Sequence, residues 1–373
     1  MHQLGGALGL GWMYSAVVCQ RIKAMVDLIR GTNVASKTTV LNMEDMKILI
    51  TGGCGFIGAT AVARFFGCGA CVRVLDNMSV GKINDIPVAN KELETGYDPN
   101  IWSSEYVQVV IGDILEAEVV LQASTGADAI VHLAANTGVA ISIEDPREDC
   151  LTNVVGTLNV LEAARSAGVL RVIFASSGAP AGEVTPPIHE EIVPRPISPY
   201  GASKLAGEAY CNAYWRSFGV EATALRFGNV YGPGSSRKTS VVATFSRCVQ
   251  RGEPLVLHGD GSQTRDFIYI GDLVEAIAKA LTTPDIGGEI FQIATSLETS
   301  IQEIASAVQR ACERHGVRWP GIINGPQRVG DVPRNYSDTS KAERVLGWKA
   351  SHSLDDGVAA TLAMFINNTV AAD

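Results

Sequence analysis

In the stretch SPYGASKLAGEAY, residues Ser198 to Tyr210, a phenol and an ammonium stand four positions apart, Tyr200 and Lys204. Ser198 suits a helix N-cap and Pro199 the first helical position, and the Ala, Lys, Leu and Glu that follow sustain a helix. Residues four apart lie on one helical face, so the two side chains can act together. A neighbouring ammonium favours phenolate, which predicts a Tyr200 pKa lowered from about 10 toward neutrality. The same spacing also arises by accident on solvated helices. The elements that would position the pair decide its meaning.

A second candidate lies upstream. MKILITGGCGFIGATAVARFF reads as strand, glycine turn and helix: Lys47 to Thr51 is β-rich, Gly52, Gly55 and Gly58 form GxxGxxG, and Ala59 to Phe66 reads helical. Glycines let the backbone approach a pyrophosphate, and a helix N-terminus offers free N–H groups and a positive dipole end. A lone glycine triplet is a weak signal, but this one lies between strand and helix, where the mechanism needs it. CVRVLDN then reads as a strand ending in Asp76, 18 residues past Gly58. An acid there can bind ribose hydroxyls and repel a 2′-phosphate, which selects NAD over NADP. The plainer alternative for Asp76 is a strand-end turn residue.

VQVVIGDI, ADAIVHLAA and RVIFASS read as further strands, ending at Asp113, at His132 to Ala135, and at Ser176 and Ser177. Helical segments such as NVVGTLNVLEAARSAG separate them. The alternation predicts an α/β fold, a doubly wound parallel (Rossmann-like) sheet with ligands at the carboxyl ends of its strands. Asp113, Ala134, Ser177 and the Tyr200 helix all fall at or near that edge. Such a fold gathers the separate motifs into one crevice.

The 373 residues suffice for a large core divided between two lobes, and 46% hydrophobic with 18% charged residues is an ordinary soluble composition. A net charge of −9 argues against nucleic acid or an anionic membrane surface as main partner. The eight cysteines include one close pair, Cys68 and Cys71, with no second pair or histidines nearby in sequence. They read as reduced structural thiols of a cytoplasmic protein, and the six dispersed histidines propose no metal site. Residues 1–45 stand apart as an N-terminal appendage: an upstream start ahead of Met43 or Met46, before a weakly ordered extension or an anchor. The basic residues Arg21, Lys23 and Arg30 follow the apolar run LGGALGLGWMYSAVV rather than precede it, unlike a secretory signal.

Seven motifs in order carry a resemblance: TGGCGFIG, HLAANTGVAIS, NVVGTLNVLEAA, SPYGASKLAGE, LRFGNVYGPG, GDGSQTRDFIYIGDL and RVGDVPRNYSDTSKAERVLGW. From about Met46 onward the chain resembles an extended short-chain dehydrogenase/reductase of the NAD-dependent sugar-nucleotide epimerase/dehydratase family. The resemblance implies Tyr200 as general base, Lys204 as the partner that lowers its pKa and binds the nicotinamide ribose, and Ser177 as a hydroxyl bonded to the reacting sugar oxygen. It implies a dinucleotide site of Gly52, Gly55, Phe56, Ile57, Gly58, Asp76, Asn77, Asp113, Ile114, Leu133, Ala134, Ala135 and Asn153, with Tyr200 and Lys204. Asn229, Arg265, Arg328 and Asp331 resemble ligands of the substrate's nucleotide and diphosphate, and an arginine fork suits phosphate. Asn335, five residues after Gly330 of the GDV motif, resembles the gate beside the sugar C2 substituent. The chain departs from the family at SSGAPAGE, where Pro180 and Ala181 replace the usual valine and tyrosine, and at Ala140, where many relatives carry arginine.

Gly178 and Ala179 follow Ser177 and cannot transfer protons, which disfavours 4,6-dehydration, and the glutamate of the family's decarboxylases is missing there too. The reading that remains is NAD-dependent epimerisation of a UDP-hexose at C4, UDP-glucose/UDP-galactose first, with N-acetylated forms admitted. The alternatives are an epimerase on another nucleotide sugar or carbon, such as a CDP-sugar 2-epimerase, and a non-catalytic NAD-binding scaffold. An NAD-binding domain is expected over residues 46–232, with part of 266–285 packing on it. A smaller substrate lobe is expected over 233–373, built mainly from the segment SSRKTSVVATFSRCVQRGEPLVLHGDG and from about Gly287 onward. Helices around Thr157–Ala167 and Tyr200–Trp215 would, by resemblance, form a homodimer interface.

Overall fold

The structure, a computed structural model, describes residues 43–93, 97–327 and 332–370. The expectations for residues 1–42, and those for Arg328 and Asp331, lie outside the described residues. The strands are β1 (Lys47–Thr51), β2 (Cys71–Asp76), β3 (Lys91–Leu93), β4 (Val107–Ile111), β5 (Ala129–His132), β6 (Arg171–Ser177), β7 (Glu221–Phe227), β8 (Asn229–Tyr231), β9 (Leu255–His258), β10 (Thr264–Arg265), β11 (Phe267–Tyr269), β12 (Ile290–Ile293), β13 (Thr299–Ser300) and β14 (Ile322–Gly325). The helices are α1 (Phe56–Phe66), α2 (Ala117–Ser124), α3 (Val139–Glu144), α4 (Pro146–Cys150), α5 (Gly156–Ala167), α6 (Pro199–Phe218), α7 (Val241–Arg251), α8 (Ile270–Thr282), α9 (Ile301–His315), α10 (Ser340–Leu346) and α11 (Leu354–Val370).

Eight strands form one parallel sheet in the order β12-β7-β6-β5-β1-β2-β4-β3. The chain winds outward from β1 and returns to β5 beside it, so the order reverses between β1 and β5. Ligands of doubly wound sheets bind at that reversal. Alternation along β1 splits the core: Ile48 and Ile50 pack with α1 and α8 on one face, and Leu49 packs with α2, α5 and α6 on the other. A third core of Tyr231, Phe245, Leu257, Ile304, Val308 and Leu362 builds the second lobe from α7, α9 and α11.

Two features differ from the local pattern. Beyond Gly287 the chain first returns to the main sheet, where β12 pairs with β7 as the edge strand. A run of only four residues, IFQI, carries no signal for which sheet it joins, and a free slot beside β7 decides it. A π-helical turn, Leu151–Val155, leads into α5, and it turns Asn153 inward to 2% exposure.

Against β6 and β7, α6 buries an ion pair. Arg226 Nε and Nη2 each donate to a Glu208 carboxylate oxygen at 2.7 Å, with both side chains 1% exposed, and Ser176 Oγ donates to the same carboxylate at 2.6 Å. Removing one partner of such a pair strands the other charge in the core. Arg226→Met should therefore lower stability by about 3–5 kcal/mol, measured by urea unfolding. A loss below about 1 kcal/mol would show that the pair is not the compensated unit described.

Candidate active site

At the end of β1 the chain turns at Gly52, whose φ of +69° suits glycine. A Cβ there would stand 2.7 Å from the Ala134 nitrogen, so the turn and the loop after β5 meet backbone to backbone. At Gly58 a Cβ would lie 2.2 Å from the Gly52 oxygen, which forces glycine inside the first turn of α1. Gly55 caps that helix without a side-chain hydrogen bond, so no side-chain oxygen takes a phosphate's place at its positive end. Phe56 and Ile57 open the helix.

Asp76 ends β2 and is 8% exposed; its Oδ2 accepts from the Cys54 N–H at 2.9 Å and its Oδ1 from the Met78 N–H at 2.8 Å. Each carboxylate oxygen keeps capacity for a further hydroxyl. The Cys54 thiol is pushed up to about 12, by burial first and then by the fields of Asp76 and Asp85. That negative field is hostile to a 2′-phosphate. Asn77 Nδ2 donates to Asp113 Oδ2 at 2.8 Å, tying the ends of β2 and β4 together. Ile114 is buried against α5, where a Cβ on Gly156 would sit 2.5 Å from its Cδ1. Leu133, Ala134 and Ala135 follow β5, and the Ala134 N–H donates to Thr51 Oγ1 at 3.3 Å. The cradle and the acid at this edge fit NAD.

Asn153, expected as a cofactor contact, is held in a hydrogen-bond network between neighbouring elements. Its Nδ2 donates to Asn136 O and Asp149 Oδ1 at 2.9 Å and to Ser203 Oγ at 3.2 Å, while its Oδ1 accepts from the Asn136 N–H at 2.8 Å. These bonds tie the loop after β5 to α4 and α6.

Ser198 caps α6, accepting from the Gly201 N–H at 3.1 Å, and the Tyr200 N–H donates to Ser142 Oγ at 3.1 Å. Ser177, at the end of β6, lies near enough to the Tyr200 hydroxyl to favour its ionised form, and its Oγ accepts from the Ala179 N–H at 3.2 Å. Lys204, 3% exposed, donates from Nζ to Ala175 O at 2.9 Å and lies 5.9 Å from the centre of the Tyr200 ring. Gly207 lets the helix come this close, because a Cβ there would be 2.3 Å from Phe174 Cζ. The structure brings the three side chains together.

The phenol departs from its expected direction. Burial raises the Tyr200 pKa, the Ser177 hydroxyl lowers it, and Asp149 raises it. Burial also pushes the Lys204 ammonium down to about 8, against Asp149, Glu208 and Cys211, which favour the charged form. Spacing sets which face the two groups share, but their desolvation is a property of the packed core.

Sequence reasoning missed several neighbours. His132 is 1% exposed, bridges Thr51 Oγ1 (2.7 Å) and Thr157 Oγ1 (3.0 Å), and is held neutral with its pKa pushed down to about 3 by burial and Lys204. Ser142, Ser203 and Asp149 were equally unmarked, since their partners come from other elements. A polar residue closing an apolar strand, as His132 does, was the one available signal.

On the second lobe, Asn229 opens β8 and pairs with Phe267, two residues beyond Arg265. Arg265 Nη1 donates to Thr264 O and Val332 O at 2.7 Å, and Val332 stands three residues before the half-buried Asn335. Asp266, also missed, organises this edge: it accepts from the Thr295 N–H and Oγ1, the Ser296 N–H and the Ser337 N–H. Burial raises its pKa against those four donors. Pro180 and Ala181 are buried in a short turn against the start of α6, whereas Ala140 is exposed on α3. Among the described residues no cluster of His, Cys, Asp and Glu could hold a metal ion, and no helix is long and apolar enough to cross a membrane.

Gly58→Ala should empty the dinucleotide site while wild-type protein, acid-denatured, releases NAD in near-stoichiometric amount. Release of NADP instead would overturn the role of Asp76.

The NAD dependent epimerase/dehydratase family model matches residues 48–294. A UDP-glucose 4-epimerase of Mycolicibacterium smegmatis is 36% identical over 330 residues, covering 87% of this chain and all of that protein. The UDP-glucose 4-epimerase of Thermotoga maritima, solved with UDP-glucose, superposes with a TM-score of 0.76 at 33% identity, covering 87% of this chain and 100% of that one. The Thermus thermophilus UDP-glucose 4-epimerase, solved as a complex with NAD, gives a TM-score of 0.74 at 34% identity, covering 86% of this chain and 99% of that one. With the glycine cradle and Asp76 at the sheet's reversal and that breadth of match, this chain belongs to the NAD dependent epimerase/dehydratase family.

Proposed function

We propose that the protein interconverts UDP-hexoses epimeric at C4, with UDP-glucose and UDP-galactose as the leading pair. The observation that carries this reading is the convergence of Tyr200 and Ser177 above buried Lys204, with Gly178 and Ala179 rather than an acid–base pair after Ser177. That constellation provides one base and one hydroxyl relay, which epimerisation through a ketone needs, and lacks the second proton-transfer pair that eliminating water requires. The relatives described above are UDP-glucose 4-epimerases, which supports the uridine nucleotide and the carbon.

NAD, when bound, supplies a reversible hydride acceptor whose cationic ring also favours phenolate. Gly52, Gly55, Phe56, Ile57 and Gly58 would hold its pyrophosphate, and Asp76 its adenosine ribose. Tyr200 takes the C4 hydroxyl proton, with Ser177 orienting that oxygen and Lys204 supplying positive charge beneath the phenol. The C4 hydrogen that leaves as hydride would return to the opposite face of C4 once the 4-keto sugar has turned about its diphosphate link, while Tyr200 gives the proton back to the C4 oxygen. Asn229 and Arg265, with Arg328 and Asp331, would hold the nucleotide and diphosphate while the sugar turns. The exposed apolar residues Tyr210 and Phe218 of α6 support pairing of two copies through α5 and α6.

Purified protein given UDP-galactose should form UDP-glucose without added reductant, and Tyr200→Phe should cut kcat by about 10²–10⁴-fold while retaining NAD. A phenylalanine variant that kept most of its activity would remove Tyr200 from the role of base. Asn335 is intermediate in size and able to bond an acetamide, so UDP-N-acetylglucosamine should also be turned over. Asn335→Tyr should lower kcat/KM for that substrate selectively, by roughly the 10- to 200-fold that a pocket-scale fit controls. Equal losses on both sugars would show that Asn335 is no gate.

A further inference from the structure

The proposed chemistry leaves one buried charge unused. Asp149, in α4, is 1% exposed; its Oδ1 accepts from Asn153 Nδ2 at 2.9 Å, and its Oδ2 is buried with no hydrogen-bond partner. An ionised carboxylate with an orphaned oxygen persists in a core only where an opposite charge compensates it. α4 packs on α6, and Asn153 carries the contact across by donating to Ser203 Oγ, whose hydroxyl donates to Tyr200 O at 3.0 Å. Ser203 directly precedes Lys204.

The charged and titratable groups around Lys204 narrow its counter-charge to one. On α6 itself, Glu208 gives both carboxylate oxygens to Arg226 of β7 and accepts the Ser176 hydroxyl as well. Cys211, also on α6, is a thiol that burial holds well above its ordinary range. From β5, His132 is neutral, with both ring nitrogens engaged by threonine hydroxyls. Tyr200 is a phenol whose pKa burial raises, so it is neutral. Asp149 remains, and its field favours the charged form of Lys204.

We propose that Asp149 is a positioning residue for catalysis: a buried counter-charge that keeps Lys204 protonated beneath Tyr200 and so sets the alkaline limit of activity. The activity arm of this inference rests on the epimerase reading; the pairing itself does not. Asp149 also opposes ionisation of Tyr200, so removing its charge makes both protons leave at lower pH. The whole pH profile therefore moves toward acid.

In the NAD-loaded enzyme, Asp149→Asn should move the alkaline limb of kcat down by about one pH unit, with roughly a tenfold lower rate on that limb. Asp149→Glu, which keeps the charge, should bring the limb back toward the wild-type position. A lower plateau with an unmoved limb would mark Asp149 as merely structural and overturn the proposal. The second arm needs no turnover and compares melting temperatures in saturating NAD. Lys204→Met leaves Asp149 uncompensated, so Lys204→Met/Asp149→Asn should melt higher than Lys204→Met alone. A double variant that melts at or below the single one would refute the pairing. If wild-type protein interconverts no UDP-hexose, the epimerase reading falls and the melting comparison alone decides the role of Asp149.

Discussion

Burying charge beneath a helix is the constraint on which the site depends. Lys204 and Glu208 lie one turn apart on α6, and each is almost wholly excluded from water. Such a helix holds its place against the sheet only if every charge it buries finds an opposite one. Arg226 reaches across from β7 to Glu208 with two hydrogen bonds, and Asp149, on the helix α4 packed against α6, favours the charged form of Lys204. Gly207 sets the depth at which these charges are buried, since a side chain there would lift the helix off Phe174 and take Lys204 away from the Ala175 carbonyl. The reactive phenol is thus carried by an element whose position is determined electrostatically as much as by apolar packing.

The same economy governs the dinucleotide edge. At the reversal of strand order, Gly52 and Ala134 approach backbone to backbone, and Gly58 packs on Gly52. Nothing bulkier fits, so the positive end of α1 stays accessible where a pyrophosphate needs it. His132 stiffens the seam between β1, β5 and α5 through two hydroxyls, and it does so as a neutral ring. Neutrality matters there, because a second cation beside Lys204 would compete for the same carboxylates.

The second lobe is joined to the sheet by a third buried acid. Asp266 gathers backbone and hydroxyl donors from the residues after β12 and from Ser337, which places the segment carrying Asn335 beside Arg265. Burial alone would neutralise that carboxyl; the four donors are what a charged form requires. Each of these regions therefore rests on enclosed carboxylates: Asp76 at the end of β2, Asp149 and Glu208 beside Lys204, and Asp266 beside Arg265.

The sequence by itself determined what depends on neighbours along the chain. Strand–glycine–helix order marks the GxxGxxG turn, a terminal acid marks Asp76, and the Ser198–Pro199 start with its four-residue spacing puts Tyr200 and Lys204 on one helix. Alternating strands and helices were enough for a doubly wound parallel sheet, and the seven motifs for the family. Tertiary structure decided what depends on burial and on partners distant in sequence. The inward turn of Asn153 and its bonds to Asn136, Asp149 and Ser203 come from a π-helical turn and from residues of other elements. Tyr200 looked like an acidified phenol, but burial raises its pKa. Asp149, His132 and Asp266 carry no local signature, because their meaning lies in groups contributed by other elements. Periodicity is written into adjacent residues, whereas the dielectric around a side chain and the identity of its counter-charge exist only once the chain has closed around it.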